Sequence, residues 1–430
     1  MKPTRKLTTT WTVFVIFVLM LTCLPVAGCA QKVEWDKTFG GPETDWGLSA
    51  QQTQDGGYII AATTKSFGAG NFDVWLIKTD SSGNKMWDKT SGGSGEDRAV
   101  SALQTPDGGY IIAGMTESVE AGPRVWLIKA DSSGNTLWDK TFGGSKSYSV
   151  WAHSFQPTSD GGYIFTGETR PYEPGETGDA SIDLWLAKTD ALGNEEWEMT
   201  FGGSHSDRGF SVQQVQDGGY IIAGEACWYN NAWLIKTDAS GNKEWDKAFD
   251  DTQVAWSVQQ VQDGGYIVAG RVAVDDVWLL KTDASGNKLW DKTFGGSESD
   301  EGYSVQQTRD GGYIIAGETI SPQALDRDVW VIKTDASGNK QWDRALGGSG
   351  MDWATSVQQT SDGGYIVAGT RGTGGPFESS LSDVWLIKLK PDKEGAGGLP
   401  FWAWVIIGVG GLLVISVIVT LATRARRHRV

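Results

Sequence analysis

Ten residues before the aspartate of each Asp-Gly-Gly-Tyr stands another aspartate in five repeats of the chain: Asp45, Asp97, Asp207, Asp300 and Asp352. A sixth repeat has Gln253 there, and the remaining one is expanded. Carboxylates are the hard oxygen donors that Ca²⁺ prefers, so a ring of them at the mouth of a shared channel is a candidate calcium site. The local role competes with it: an aspartate at the edge of a loop caps it by accepting from backbone amides. Repetition in register favours the cap. No cofactor other than Ca²⁺ is implied.

Other chemistry is sparse. His153 and His205 are the only histidines outside the C-terminal tail, and neither is spaced as a metal pair. There is no Gly-x-Ser-x-Gly elbow and no phosphate-binding loop. Carboxylates abound, yet a catalytic one should break the repeat rather than follow it. Asp-Ala-Ser-Gly-Asn lacks the alternating ligands of a calcium loop and reads as a hairpin turn. The chain is therefore expected to bind rather than catalyse. Aromatics that depart from the repeat are the candidate ligand contacts: Trp228 and Tyr229 in the variable loop of the fourth blade, and Trp46 and Trp353, with Trp151 and Trp256, in the blade-to-blade links. Such side chains beside amides suit a glycan or a protein ligand.

The elements that must position these residues follow from the repeat. Asp-Gly-Gly-Tyr recurs at Asp55, Asp107, Asp160, Asp217, Asp263, Asp310 and Asp362. Self-similarity at this period signals a propeller, a solenoid or an array. Each unit reads as four strands, in one case Ser304 to Thr308, Tyr313 to Gly317, Val329 to Lys333 and Lys340 to Arg344. The second is a continuous apolar run, as expected where both faces are covered. Gly-containing hairpin turns join the first pair and the last pair. One tryptophan in the third strand and one in the fourth recur in every unit, which points to packing.

A four-stranded sheet cannot bury both faces alone, so the units must stack around an axis as blades. The ends of the array indicate closure. Val33 to Phe39 is a fourth strand with no first three before it, and Trp385 to Lys388 is a third strand with no fourth after it. The expected fold is all-β, a seven-bladed β-propeller closed by an N-terminal strand. If the first strand lines the axis, the channel carries the Ser and Gln that recur there, with Leu103 replacing one Gln. One face of the disc has loops of constant length. The other varies: Gly270 to Trp278 is short, whereas Gly167 to Trp185 is long and acidic. Variable loops on a rigid scaffold are where specificity is usually built.

Gly-x-x-x-Trp after an Asp-containing turn, as in Gly286 to Trp290, resembles the repeat of quinoprotein-type propellers and of the outer-membrane-assembly lipoprotein propeller. The resemblance covers roughly residues 31–390 and implies that the motif's tryptophan docks blade to blade. It also carries an alternative function, a quinone-cofactor (PQQ-type) oxidoreductase. The turn departs from that pattern, because Asp283 lies three residues before Gly286, and no vicinal cysteine pair is present. The Asp-Gly-Gly-Tyr-Ile-Ile-Ala-Gly run is more similar to repeat arrays of archaeal and bacterial surface proteins. A structural surface-layer component is a second alternative.

The two ends read as targeting and anchoring. Residues 1–30 have a basic head, an apolar middle and a small-residue exit, as in a secretory signal. Cleavage after Ala30 and a lipobox ending at Cys29 are both open. A linker, 391–400, leads to residues 401–421, an apolar run of about 31 Å as a helix and long enough to span a bilayer. Arginines in 422–430 mark that tail as cytoplasmic, which leaves the repeats outside a single-pass cell membrane anchor. The chain's formal charge is −16, and the part between the two basic ends is more acidic still. Such a surface repels phosphate backbones, so no nucleic acid is expected as a partner. With three cysteines, two of them in the leader, no disulfide framework supports the repeats.

Overall fold

The protein is described by a computed structural model covering residues 31–118, 122–144, 148–171, 182–203, 205–226, 231–249, 252–272, 276–320, 326–372 and 381–392. The signal, most of the linker, the expected spanning segment, Trp228 and Tyr229 lie outside the described residues. Among the described residues no helix is long and apolar enough to cross a membrane.

The chain begins with β1 (Val33–Phe39) and then builds blades of four strands. Blade 1 is β2 (Asp45–Gln52), β3 (Tyr58–Thr64), β4 (Asp73–Thr79) and β5 (Lys85–Ser91). Blade 2 is β6 (Asp97–Gln104), β7 (Tyr110–Thr116), β8 (Arg124–Ala130) and β9 (Thr136–Phe142). Blade 3 is β10 (Tyr148–Pro157), β11 (Tyr163–Pro171), β12 (Asp183–Thr189) and β13 (Glu195–Phe201). Blade 4 is β14 (Asp207–Gln214), β15 (Tyr220–Ala226), β16 (Asn231–Thr237) and β17 (Lys243–Phe249). Blade 5 is β18 (Thr252–Gln260), β19 (Tyr266–Val272), β20 (Val277–Thr282) and β21 (Lys288–Phe294). Blade 6 is β22 (Asp300–Gln307), β23 (Tyr313–Thr319), β24 (Asp328–Thr334) and β25 (Lys340–Leu346). Blade 7 is β26 (Trp353–Gln359), β27 (Tyr365–Gly372) and β28 (Ser382–Leu389), and β1 supplies its fourth strand. Val33 pairs with Leu389 and Phe39 with Val384, antiparallel, so the ring closes with the strand expected to close it. The fold is an all-β seven-bladed propeller.

Each apolar second strand is covered by sheets on both sides, and Ile59, Ile111, Ile164, Ile221, Ile267, Ile314 and Ile366 are buried. The repeated tryptophans do pack. The third-strand indole donates to the carboxylate that follows the fourth-strand Trp: Trp75 to Asp88 at 2.9 Å, Trp185 to Glu198 at 2.9 Å, and Trp385 to Asp36 of β1 at 3.1 Å. The fourth-strand ring reaches the next blade. Trp35 meets Tyr58 with centroids 5.7 Å apart and lies against the turn glycine Gly83, where φ is +76°. Each buried third-strand lysine reaches back to the aspartate of Asp-Gly-Gly, as in Lys333 to Asp310 at 3.0 Å and Lys188 to Asp160 at 2.7 Å. The Asp-Ala-Ser-Gly-Asn segment is the hairpin turn expected of it. Asp283 accepts from the backbone amides of Ser285 and Asn287 at 2.9 and 2.8 Å.

The innermost strands form edges whose outward N–H groups need partners. Side chains of the neighbouring blade supply them. The amides of Val258, Val305 and Val357 donate to the hydroxyls of Ser211, Ser257 and Ser304, each at 3.2 Å. Two residues on, the amides of Gln260, Gln307 and Gln359 donate to Gln213, Gln259 and Gln306 at 2.6 Å. The recurring Ser and Gln of the axis therefore act as blade-to-blade fasteners. They also line a central channel with a cavity of about 230 Å³.

Candidate functional site: the bulge ring and the junction carboxylates

The first strands are longer than the sequence reading allowed. Trp46, Trp151, Trp256 and Trp353 lie within β2, β10, β18 and β26, not in blade-to-blade links. The reason is a β-bulge at one place in every first strand, between Gly47 and Ser49 in blade 1 and between Ala354 and Ser356 in blade 7. The other five blades shift register at the equivalent pair. A bulge breaks the two-residue alternation by which a strand is recognised, and it re-aims one side chain.

The re-aimed residues are Leu48, Val100, His153, Phe210, Trp256, Tyr303 and Thr355, each just before the recurring first-strand serine. Four consecutive blades thus present rings. His153 and Phe210 have centroids 5.4 Å apart, Phe210 and Trp256 4.4 Å, and Trp256 and Tyr303 5.7 Å. The arc is edged by alternating charges. Arg208 bonds Glu168 at 2.6 Å and Glu225 at 2.8 Å, and Arg271 bonds Glu301 at 2.6 Å. The Trp256 indole donates to Glu301 at 3.2 Å. Beyond Tyr303 the arc opens into a cavity of about 320 Å³ between blades 6 and 7, lined by Tyr303, Glu318, Arg327, Met351, Trp353 and Thr355. Arg327 pairs with Glu318 there. Burial, with Glu318 and Glu301 adding to it, pushes the Tyr303 phenol well above its ordinary range, so it stays a neutral donor.

Of the aromatics expected to bind, Trp353 lines this cavity. Trp46 is elsewhere, stacked on Phe72 at 4.9 Å with the Arg98 guanidinium 5.3 Å from its ring. No described contact brings Trp46 and Trp353 together. Phe210 and Tyr303 were missed in the sequence. The signal was there: the residue before each recurring serine differs from blade to blade, while the serine after it is invariant and the residue before it is always Gly or Ala.

The five aspartates do not form one ring of ligands. Each sits at the start of its own first strand and caps the preceding link through the amide four residues earlier. Gly93 donates to Asp97 at 2.7 Å, Gly203 to Asp207 at 3.1 Å, Gly296 to Asp300 at 3.1 Å and Gly348 to Asp352 at 2.8 Å. In blade 1, Gly41 donates to Asp45 at 2.9 Å. Among the described residues no group of three or more His, Cys, Asp or Glu is placed to hold a metal.

Each of the five has a carboxylate companion that the sequence reading did not single out, two residues before the third-strand tryptophan of the preceding blade. The pairs are Asp383 with Asp45, Asp73 with Asp97, Asp183 with Asp207, Asp276 with Asp300 and Asp328 with Asp352. Each faces the exposed first glycine of a Gly-Gly: Gly40, Gly92, Gly202, Gly295 and Gly347. A Cβ on Gly92 would collide with Asp73 Oδ1 and stand 2.8 Å from Asp97 Oδ2, so only glycine leaves this space open. Burial, and then the charge of its neighbour, raises the carboxyl of Asp183 beside Asp207 and of Asp383 beside Asp45.

No family model matches the chain, and no curated protein matches it. Likeness is found among solved structures. Raptor from Chaetomium thermophilum matches with a TM-score of 0.54 at 9% identity, over 93% of this chain and 33% of that one. Sqt1 from the same organism matches with a TM-score of 0.47 at 11% identity, over 84% of this chain and 99% of that one. YCF48, solved bound to D1 peptide, matches with a TM-score of 0.48 at 10% identity, over 84% and 99%. At such identities the likeness is one of fold alone.

Proposed function

We propose that the chain is a membrane-anchored, extracytoplasmic propeller that binds a glycan or protein ligand on its variable face without catalysing a reaction. The observation that carries the reading is the aromatic arc from His153 to Tyr303, continued by the cavity that holds Trp353. Ring faces supply apolar contact at low entropic cost, and the flanking Arg–Glu pairs supply oriented donors and acceptors. The anchoring half of the proposal rests on residues 1–30 and 401–421 and on the arginines that follow them.

Glycan and peptide arrays probed with the wild-type chain, Trp256→Ala, Trp353→Ala and Trp228→Ala test the binding reading. Binding lost in the first two variants, with folding intact, supports the arc and cavity. Binding unchanged in all three removes the proposed surface. The PQQ-type oxidoreductase is the second reading, carried by the Gly286 to Trp290 motif; it requires a bound chromophore and dye reduction after reconstitution with the quinone and Ca²⁺. A surface-layer component would instead assemble regularly without any soluble ligand.

A further inference from the structure

Asp73 and Asp97 meet at the junction of blades 1 and 2, exposed to 2% and 0% respectively. Asp73 Oδ2 accepts from the amides of Ala69 and Gly70 at 2.9 and 3.2 Å. Asp97 Oδ2 accepts from Gly93 and from the Ser118 hydroxyl. The remaining oxygen of each, Oδ1, is buried and has no hydrogen-bond partner. Among the described residues neither carboxylate has a basic side chain within ion-pairing distance. Two anions this close, desolvated and uncompensated, are costly to keep together. The same third-strand oxygen is without a partner in Asp183 and Asp328, so the arrangement belongs to the repeat.

The exceptions identify what the pair lacks. Where blade 2 meets blade 3, the third-strand position is Arg124, and no aspartate opens the next strand. The Arg124 guanidinium there donates to the carbonyl of Gly143, the glycine of that junction, at 3.3 Å. Where blade 4 meets blade 5, both acids are replaced by amides in the sequence, Asn231 and Gln253. The two carboxylates are thus kept together or lost together. Where they are lost, the sequence supplies either a cation or two amides.

We propose that each of the five paired-aspartate junctions binds one Ca²⁺ ion, held by the facing carboxylate oxygens and completed by water entering over the exposed glycine. A proton shared between the acids would account for the amide junction but not for the arginine, whose charge stands beside the Glu195 carboxylate that accepts from the Gly143 amide at 3.3 Å. Two carboxylates and water make a weak site, of the kind with dissociation constants on the order of 10⁻⁴–10⁻³ M. The ion would fasten a third strand of one blade to the first strand of the next, on the opposite side of the disc from the Lys–Asp pairs. This differs from the calcium ring expected at the channel mouth, because each site is separate and half of its ligands come from the preceding blade.

The test is a Ca²⁺ titration of the full-length chain by calorimetry, paired with its melting temperature in chelator and in 10 mM Ca²⁺ (about tenfold above the weaker dissociation constant). The expected result is about five ions per chain and a melting temperature raised by Ca²⁺. The double variant Asp73→Asn/Asp97→Gln copies the amide junction that the protein already uses, so it should fold and bind one ion fewer. Its melting temperature in chelator should equal or exceed that of the wild type. An unchanged stoichiometry in this variant overturns the assignment. So does a wild type that ignores Ca²⁺ but is stabilised in chelator as the pH is lowered to about 6, which is the signature of shared protons.

Discussion

The amide of Gln52 donates to Oε1 of Gln358 at 3.0 Å, although 306 residues separate them. It is the closing member of the fasteners that run around the channel, and it joins blade 7 to blade 1 as the same bond joins blades 1 and 2, 4 and 5, 5 and 6, and 6 and 7. Between blades 2 and 3 both residues of the bond are replaced. Where a glutamine should accept, blade 2 has Leu103, and where the amide should donate, blade 3 has Pro157, which carries no N–H.

That double loss predicts a coupled mutant pair. Leu103→Gln alone adds a polar group without a donor to meet and should not stabilise the protein. Together with Pro157→Gln it should restore the fastener, with a coupling of about 0.5–1.5 kcal/mol in a double-mutant cycle. Denaturant titration of the four proteins measures it; purely additive effects would show that the register does not carry the bond.

Asp36→Ala should destabilise the closing blade by about 1–3 kcal/mol, because the indole N–H of Trp385 then loses its acceptor in a half-buried site. The same change at Asp343 removes the acceptor of Trp330 and should cost a similar amount. A much smaller loss at Asp36, read from the denaturation midpoint, would mean that β1 is not held by this contact.

Lys333 is fully buried, whereas its partner Asp310 is half exposed. Removing the acid leaves an ammonium with only Thr334 O and Gln341 as partners, whereas removing the amine frees an acid that water can reach. Asp310→Ala should therefore destabilise more than Lys333→Met, although both break one ion pair. Thermal denaturation of the two variants at neutral pH decides the order.

The acid limb of stability should be late. Hydrogen bonds from Lys188 and then Thr158 pull the Asp160 carboxyl down to about 2 from 3.8, against the smaller effect of burial. Its folded-state value lies below its unfolded one, so its contribution is complete above pH 3.8 and is lost as the pH falls through about 2. Burial, the largest single effect on Asp55, raises its carboxyl, but bonds from Thr53, Lys78 and Gly57 and the charge of Lys78 together draw it to about 2. A pH series of melting temperatures should show the main loss below pH 4 (about the ordinary carboxylate value), and a protein already unfolded at pH 5 would contradict it.

Blade number, strand order and the closing strand were legible because the repeat writes the same four strands in every unit and leaves matching fragments at its ends. The packing roles of the repeated tryptophans and the turn role of Asp283 followed from the same regularity. What escaped was local and came from breaks in period. The bulge between Gly47 and Ser49 hid half of each first strand, and with it the direction of Phe210, Trp256 and Tyr303. The partners of the five aspartates escaped for another reason. Asp73 and Asp97 lie in different blades, and only the stacking of blades shows that they share a space. The covariation of Arg124, and of Asn231 with Gln253, is present in the sequence but has no meaning until the pairs are seen in space.

The pairing of β1 with β28 also governs how the ring responds to force. The chain enters at Val33 beside Leu389, and the amide of Lys390 bonds the carbonyl of Lys32 at 3.0 Å, so both leads leave from the same end of the two strands. Tension applied between those leads would not shear all the bonds of the pair at once. It would load them one at a time, starting at Val33 and Leu389, and peel the closing strand away like a zip. A propeller held together by seven stacked blades would therefore yield mechanically at this one latch, at low force, with the other six blades still folded.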